Sequence, residues 1–148
     1  MNKSSRQFRI RVLIGAAIPF FGVLFVLFFM DNGPKRSGKK SYEKHCGNCH
    51  GAQGEGLRNL YPPLAGSDYL LAHEADLPCI IRYGLQKTIQ VNGVTFDQPM
   101  AGLELPPAEI AAIINYMHRE FKATSVMTST DEVRNKLKRC PGAPKKQR

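Results

Sequence analysis

The longest apolar feature of the chain is residues 12–30, an uncharged run that includes Leu13, Ile14, Ile18, Leu24, Phe25, Leu27, Phe28 and Phe29. As a helix rising about 1.5 Å per residue it would be about 28 Å long, close to the thickness of bilayer hydrocarbon. The pattern therefore predicts one transmembrane helix, and Pro19 inside it is tolerated in a membrane span. Lys3, Arg6, Arg9 and Arg11 precede the run, and positive charge ahead of a first span holds that end in the cytoplasm. A secretory signal has a shorter apolar stretch of about 7–15 residues closed by a small-x-small site. Here the run ends in Phe28-Phe29-Met30-Asp31-Asn32-Gly33, which favours an uncleaved anchor with everything beyond it exported.

The pattern then changes to short amphipathic pieces. Residues 31–40 are polar and contain Gly33, Pro34 and Gly38, which reads as a linker running into a helix. Helices are predicted over 37–46, 67–73 and 77–83, the last stopped by Gly84, with loop over 51–66. Asn92-Gly93 between β-branched residues predicts a hairpin turn within 89–96. Ile110, Ile113, Ile114 and Met117 fall at i, i+3, i+4 and i+7, marking one buried stripe of a helix over 107–121. Ser129-Thr130-Asp131-Glu132 ahead of Val133 predicts a capped short helix lying on the domain. The chain thus divides into a cytoplasmic basic N-terminus (1–11), an anchor (12–30), a linker (31–36), one small all-α domain (37–122) and a basic tail (123–148). Ile110, Ile113, Ile114, Leu64, Leu70, Ile80 and Ile81 are the expected core. Met117 is assigned to the same core, and His73 and His118 to the surface.

Composition narrows the function. With 43% hydrophobic and 22% charged residues the chain is neither disordered nor collagen-like. The net charge of +9 looks like a nucleic-acid signal until it is divided by segment: +7 over residues 1–40, −3 over 41–122 and +5 over 123–148. Basic ends around a mildly acidic middle mark membrane orientation and a solvated tail, and no aromatic-interleaved basic patch accompanies them, so no nucleic-acid partner is expected.

The chemistry lies in Cys46-Gly47-Asn48-Cys49-His50. Cys-x-x-Cys-His is the pattern of c-type haem attachment. Two thioethers at that spacing reach the two vinyl groups on one porphyrin edge, and the next residue aims its imidazole at the iron, so Cys46 and Cys49 would anchor the haem and His50 would ligate it. Three other readings compete. A thioredoxin-like pair needs a strand–helix context, and Ser41-Tyr42-Glu43-Lys44-His45 is polar and helical in character. A zinc site needs a second ligand pair, and Cys79 and Cys140 stand apart. A Cys46–Cys49 disulfide leaves His50 unexplained. For a second axial ligand the candidates are Met100, Met117, Met127, His73 and His118. Met100 follows Pro99 and precedes Ala101-Gly102, a rigid return suited to holding a thioether on iron, and it is the residue assigned. The leftover Cys79 and Cys140 form an even remainder in an oxidising compartment: either a disulfide tying the tail to the domain, or two thiols with Cys79 buried in its helix.

These landmarks resemble a known family, the class I c-type cytochromes, over roughly residues 37–122. Gly38, Tyr42 and Cys46–Cys49–His50–Gly51 are similar to that family's N-terminal helix and haem site. Pro62-Pro63-Leu64-Ala65-Gly66 resembles the loop whose proline carbonyl accepts a hydrogen bond from the proximal imidazole, which implies that role for Pro62. Pro99-Met100 resembles the axial-methionine loop, and residues 109–117 resemble the C-terminal helix, whose aromatic residue, here Tyr116, crosses the N-terminal helix at Gly38 and Tyr42. Pro106-Pro107 departs from the more usual Ser or Asp cap, although Pro is acceptable at the first helical position.

The resemblance implies a small all-α cytochrome c fold around one covalent haem c, preceded by a membrane helix. The expected function is a membrane-anchored periplasmic electron carrier with His/Met ligation in a respiratory chain, held at the bacterial inner membrane by a single pass. It would be an electron-transfer protein rather than an enzyme, working with redox proteins or respiratory-complex subunits. The alternative is a cytochrome subunit feeding electrons into a membrane oxidase, reductase or dehydrogenase.

Overall fold

The computed structural model describes residues 34–121 and 127–141. The chain divides into two compact units, 1–36 and 37–148, and the description below concerns the second. The expected anchor at 12–30 lies outside the described residues, among which no helix is long and apolar enough to cross a membrane.

Helix α1 (Pro34–His45) is followed by a single helical turn, α2 (Gly47–His50), then by α3 (Asp68–Ala72), a 3-10 turn at Glu74–Asp76, and α4 (Leu77–Tyr83). Short strands β1 (Gly84–Leu85), β2 (Ile89–Val91), β3 (Val94–Phe96) and β4 (Met100–Ala101) precede the long helix α5 (Pro107–Phe121) and the closing helix α6 (Thr130–Leu137). The domain is mostly helical, as expected, and the hairpin expected within 89–96 is present; the β1–β4 ribbon is an addition. Two two-stranded antiparallel ribbons accompany the helices, β1 with β4 and β2 with β3.

Local chemistry accounts for most boundaries. Ser67 caps α3 by accepting from the Leu70 amide at 3.1 Å. Gly84, at φ +77°, ends α4. Asn92 and Gly93 both take positive φ, the geometry of a two-residue hairpin turn, and set the register Ile89 opposite Phe96. That turn is tied to α3 by reciprocal bonds: the Asn92 amide donates to Asp68 Oδ1 and the Asp68 amide donates to Asn92 Oδ1. Pro107 opens α5 while the Pro106 carbonyl accepts from the Glu109 and Ile110 amides. Helix α1 begins three residues earlier than expected, at Pro34, the residue type that suits a first turn.

The core forms where α5 crosses α1. Ile110, Ile113, Ile114 and Met117 are buried, as expected of the stripe; Phe121 is buried too, and Tyr42 is fully buried between Tyr116 and Phe121, at ring separations of 5.2 and 5.4 Å. Gly38 makes this crossing possible. A Cβ there would lie 2.3 Å from the Ala112 carbonyl oxygen and 3.1 Å from Tyr116 Cβ, so only hydrogen lets the two backbones approach. Leu70 and Ile81 complete the core, while Leu64 and Ile80 are half-buried.

His118 is not at the surface. It is buried, with Nε2 3.3 Å from Glu74 Oε1. The physical reason is a second layer: α5 packs on α6 as well as on α4, so its buried surface is wider than the one stripe read from periodicity. Ser129 and Glu132 form the capping box of α6, and Val133 is fully buried. Asn115 holds the approach to α6 by donating to the Thr128 carbonyl and accepting from its amide. Cys79 and Cys140 are joined in a disulfide between α4 and the residues after α6.

Candidate functional site

The turn after α1 places three chemical groups within a few residues. The Cys46 carbonyl accepts from the Cys49 and His50 amides at 3.1 and 2.9 Å, which winds Cys46, Cys49 and His50 onto one helical turn. The Tyr42 hydroxyl pins the exit of that turn by donating to the Gly51 carbonyl at 2.9 Å.

All three residues line a cavity of about 330 Å³. Its apolar wall comes from Leu70 of α3, Leu77 and Ile81 of α4, Val91 and Phe96 of the hairpin, and Ile113 of α5. Met100 also lines it, as do Pro99 and Met117. Met100 belongs to β4 and is half-buried, paired with Leu85 of β1. This pairing depends on Gly84, where a Cβ would sit 2.1 Å from the Met100 carbonyl oxygen. His73 and His118 do not line the cavity. His73 stacks on Tyr69 at 3.9 Å, and Met127 is exposed.

His50 Nδ1 lies 2.9 Å from the Pro62 carbonyl oxygen. A carbonyl only accepts, so Nδ1 must carry the hydrogen and donate it. Nε2 then keeps its lone pair, the arrangement a metal-binding histidine requires. Burial pushes the His50 pKa down, partly opposed by this hydrogen bond, and so favours the neutral ligand form.

The two cysteines are free thiols here, Cys46 buried and Cys49 exposed. Burial, with a smaller contribution from Cys49, pushes the Cys46 thiol up to about 11. A dithiol redox pair works through a lowered thiol pKa, so the thioredoxin-like reading has no support from this environment. Among the described residues no three His, Cys, Asp or Glu side chains converge as a metal-ion site, and the other two cysteines are used in the disulfide. The zinc reading therefore lacks its second ligand pair. Two thiols, an imidazole with a free Nε2, and a thioether on the wall of one apolar cavity form a donor set that fits a covalently held haem.

Sequence reasoning missed several wall residues, among them His45, Ser67, Lys87 and Gln98. Lys87 and Gln98 flank the two ribbons, and two-residue strands leave no periodic signal. His45 stands one residue before Cys46 and could have been suspected from that alone.

The family model described as Cytochrome c matches residues 36–119. Two curated relatives are similar over 85 residues at 36% identity, a stretch that is 54% of this chain. Both are named cytochrome c-552, and both come from Thermus thermophilus, the second from one particular strain of that organism. The match covers 64% of the first and 57% of the second, so the chain spans less than two thirds of either relative.

Proposed function

The chain belongs to the cytochrome c family as a class I c-type cytochrome, and on that premise we propose that it is a membrane-anchored periplasmic electron carrier with His50 and Met100 as axial ligands. Members of this family carry haem c covalently, and the haem supplies a one-electron ferric–ferrous couple when bound. The remaining work is done by this chain's own residues.

Cys46 and Cys49 provide the two thioether sulfurs. His50 offers Nε2 because Pro62 fixes the hydrogen on Nδ1, and this observation carries the reading. Met100 offers a neutral, soft sulfur, which favours the ferrous state and raises the potential relative to a second histidine. Its backbone is held by the pairing with Leu85, and its carbonyl accepts from Gln86 Nε2 at 3.3 Å. Leu70, Phe96 and Ile113, all buried, give the cavity an apolar wall. Held by His50 and Met100, a haem in this cavity would supply transfer of an electron rather than turnover of a bound substrate. Partners are accordingly redox proteins or subunits of a respiratory complex at the inner membrane. The uncharged run at 12–30 behind Lys3, Arg6, Arg9 and Arg11 supports the anchor and its orientation, and the Cys79–Cys140 bridge suits an oxidising compartment.

The decisive comparison is Met100→Ala against Met117→Ala in the haem-loaded protein. Met100→Ala should keep the covalent haem, bind carbon monoxide in the reduced form and show a lower potential. Met117→Ala should only destabilise the fold, by about 2–5 kcal/mol for a buried methionine. A Met100→Ala protein that refuses carbon monoxide and keeps its potential would remove Met100 from the iron.

A further inference from the structure

The segment that carries Met100 is fastened to the end of α4 along its whole length. At its start β4 pairs with β1 through two residues, Leu85 opposite Met100 and Gly84 opposite Ala101. Further on, the Leu103 amide donates to the Ile81 carbonyl at 2.9 Å, and Arg82 Nη2 donates to the Leu105 carbonyl. Between these contacts Gly102 lies against the same turn of α4: a Cβ there would fall 2.5 Å from the Arg82 carbonyl oxygen. Residues 100–105 thus follow the end of α4 until Pro107 opens α5.

A ribbon with two residues on each side is not stable by itself, so the flanking contacts decide whether Met100 stays in place. Two side chains take part. Gln86 Nε2 reaches the Met100 carbonyl at 3.3 Å, in an exposed bond. Arg82 is placed differently. Its side chain is only 18% exposed, and the Leu105 it holds is buried. A charged donor on the carbonyl of a buried residue is worth more than a neutral bond at the surface, and the carbonyl is costly to leave unpaired. The second contact of Arg82, Nη1 to Glu104 Oε2 at 3.2 Å, adds little because Glu104 is 93% exposed. Its Nε is shielded from solvent and makes no hydrogen bond. The hold of this guanidinium on the segment therefore rests on Nη2 and Leu105.

We propose that Arg82 is a positioning residue for the axial sulfur: by holding the Leu105 carbonyl it keeps residues 100–105 closed on the cavity and so keeps outside ligands off the iron. The proposal rests on the reading that Met100 is the axial ligand. Arg82 does not line the cavity, so it acts through the backbone that carries Met100 and not by touching the haem. An outside ligand enters only when the Met100 sulfur leaves the iron and the incoming donor atom takes its place, with no change of oxidation state. The apparent affinity for that ligand is its intrinsic affinity multiplied by the fraction of molecules in which the segment is open. Weakening the hold of Arg82 raises that fraction and leaves the intrinsic affinity alone.

The test uses the haem-loaded ferric protein with imidazole as the probe. Its affinity is measured by visible spectroscopy for the wild type, Arg82→Leu, Arg82→Lys, Met100→Ala and Val133→Ala. Hydrogen exchange of the Leu103 amide, which donates to Ile81, reports opening of the segment directly. Met100→Ala should bind imidazole far more tightly than the wild type. Arg82→Leu should bind it about tenfold more tightly than the wild type, the loss expected for a charged hydrogen bond, and should lose Leu103 protection by a similar factor. Arg82→Lys, which keeps a charged donor, should recover part of both. Val133→Ala destabilises the same domain from α6, off the cavity wall, and should leave the imidazole affinity within about twofold of the wild type, a shift of under 1 kcal/mol. Wild-type affinity and Leu103 protection in Arg82→Leu overturn the proposal. So does an equal rise in Val133→Ala, because global stability alone would then explain the effect. If Arg82→Leu does not fold, Arg82→Gln, which removes the charge but keeps a polar chain, is read by the same two measurements. Equal imidazole affinity in the wild type and Met100→Ala removes Met100 from the iron, which overturns the underlying reading and this proposal with it.

Discussion

Removing the Cys79–Cys140 bridge tests how the last helix is held on the wall of the site. The bridge spans 61 positions of sequence. The chain-entropy relation for a loop of that length gives about 4 kcal/mol, acting mainly by restricting the unfolded chain. The folded state should change little. In a protein carrying Cys79→Ala and Cys140→Ala, α6 keeps its buried Val133, the paired bonds between Asn115 and Thr128, and the Lys136–Asp76 contact at 2.7 Å. The loss should therefore appear in unfolding and not in the spectrum of the folded protein. For a domain of this size it corresponds to a fall in Tm of about 15 °C or more. The assay is thermal and guanidinium unfolding of the haem-loaded double variant, with dithiothreitol-treated wild type as an independent route to the same state. A loss below about 1 kcal/mol with an intact fold would refute the argument, because it would mean the bridge does not restrict the unfolded chain. A changed visible spectrum at 25 °C would refute it differently, by showing that the bridge holds α4, and with it Leu77 and Ile81, in place.

Gly38→Ala should destabilise the domain by about 1–3 kcal/mol through overpacking at the helix crossing, since its Cβ would fall 2.3 Å from the Ala112 carbonyl oxygen; chemical denaturation checks this. The Asp76 carboxyl is held below its usual range chiefly by the hydrogen bond from Lys136. Its stabilisation is present above the unfolded carboxylate pKa and is lost as pH falls through the lower folded value. Asp76→Asn should thus cost under about 1 kcal/mol at pH 7, because the pair is exposed to solvent, with the gap to wild type closing in acid; unfolding curves at several pH values read it directly. The anchor predicts that the intact mass of protein purified from membranes includes residues before Asp31, and a mature N-terminus near Gly33 would sink it.

What could be read from the sequence, and what could not, divides by the range of the interactions involved. The spans of α4 and α5, the Asn92-Gly93 turn and the Ser129–Glu132 cap were legible because each is written in a few neighbouring residues. The attachment turn was legible for the same reason: Cys46, Cys49 and His50 share one helical turn. Elements made by distant partners were not. The β1–β4 ribbon joins Leu85 to Met100 through two residues on each side, too few for any pattern. Gly84 was readable as a helix stop, but not as the residue that lets the Met100 backbone approach. His118 was misplaced because periodicity marks one buried face, while α6 and Glu74 cover another. His45 illustrates the same limit at the site. It reads as one more polar residue in a basic helix until the fold places it on the cavity wall and α5 brings Glu109 to it. Local pattern thus discloses which groups can attach and ligate a haem. The side chains that surround those groups, such as Glu109 against His45, are brought in by the crossing of α1 and α5, and only the fold reveals them.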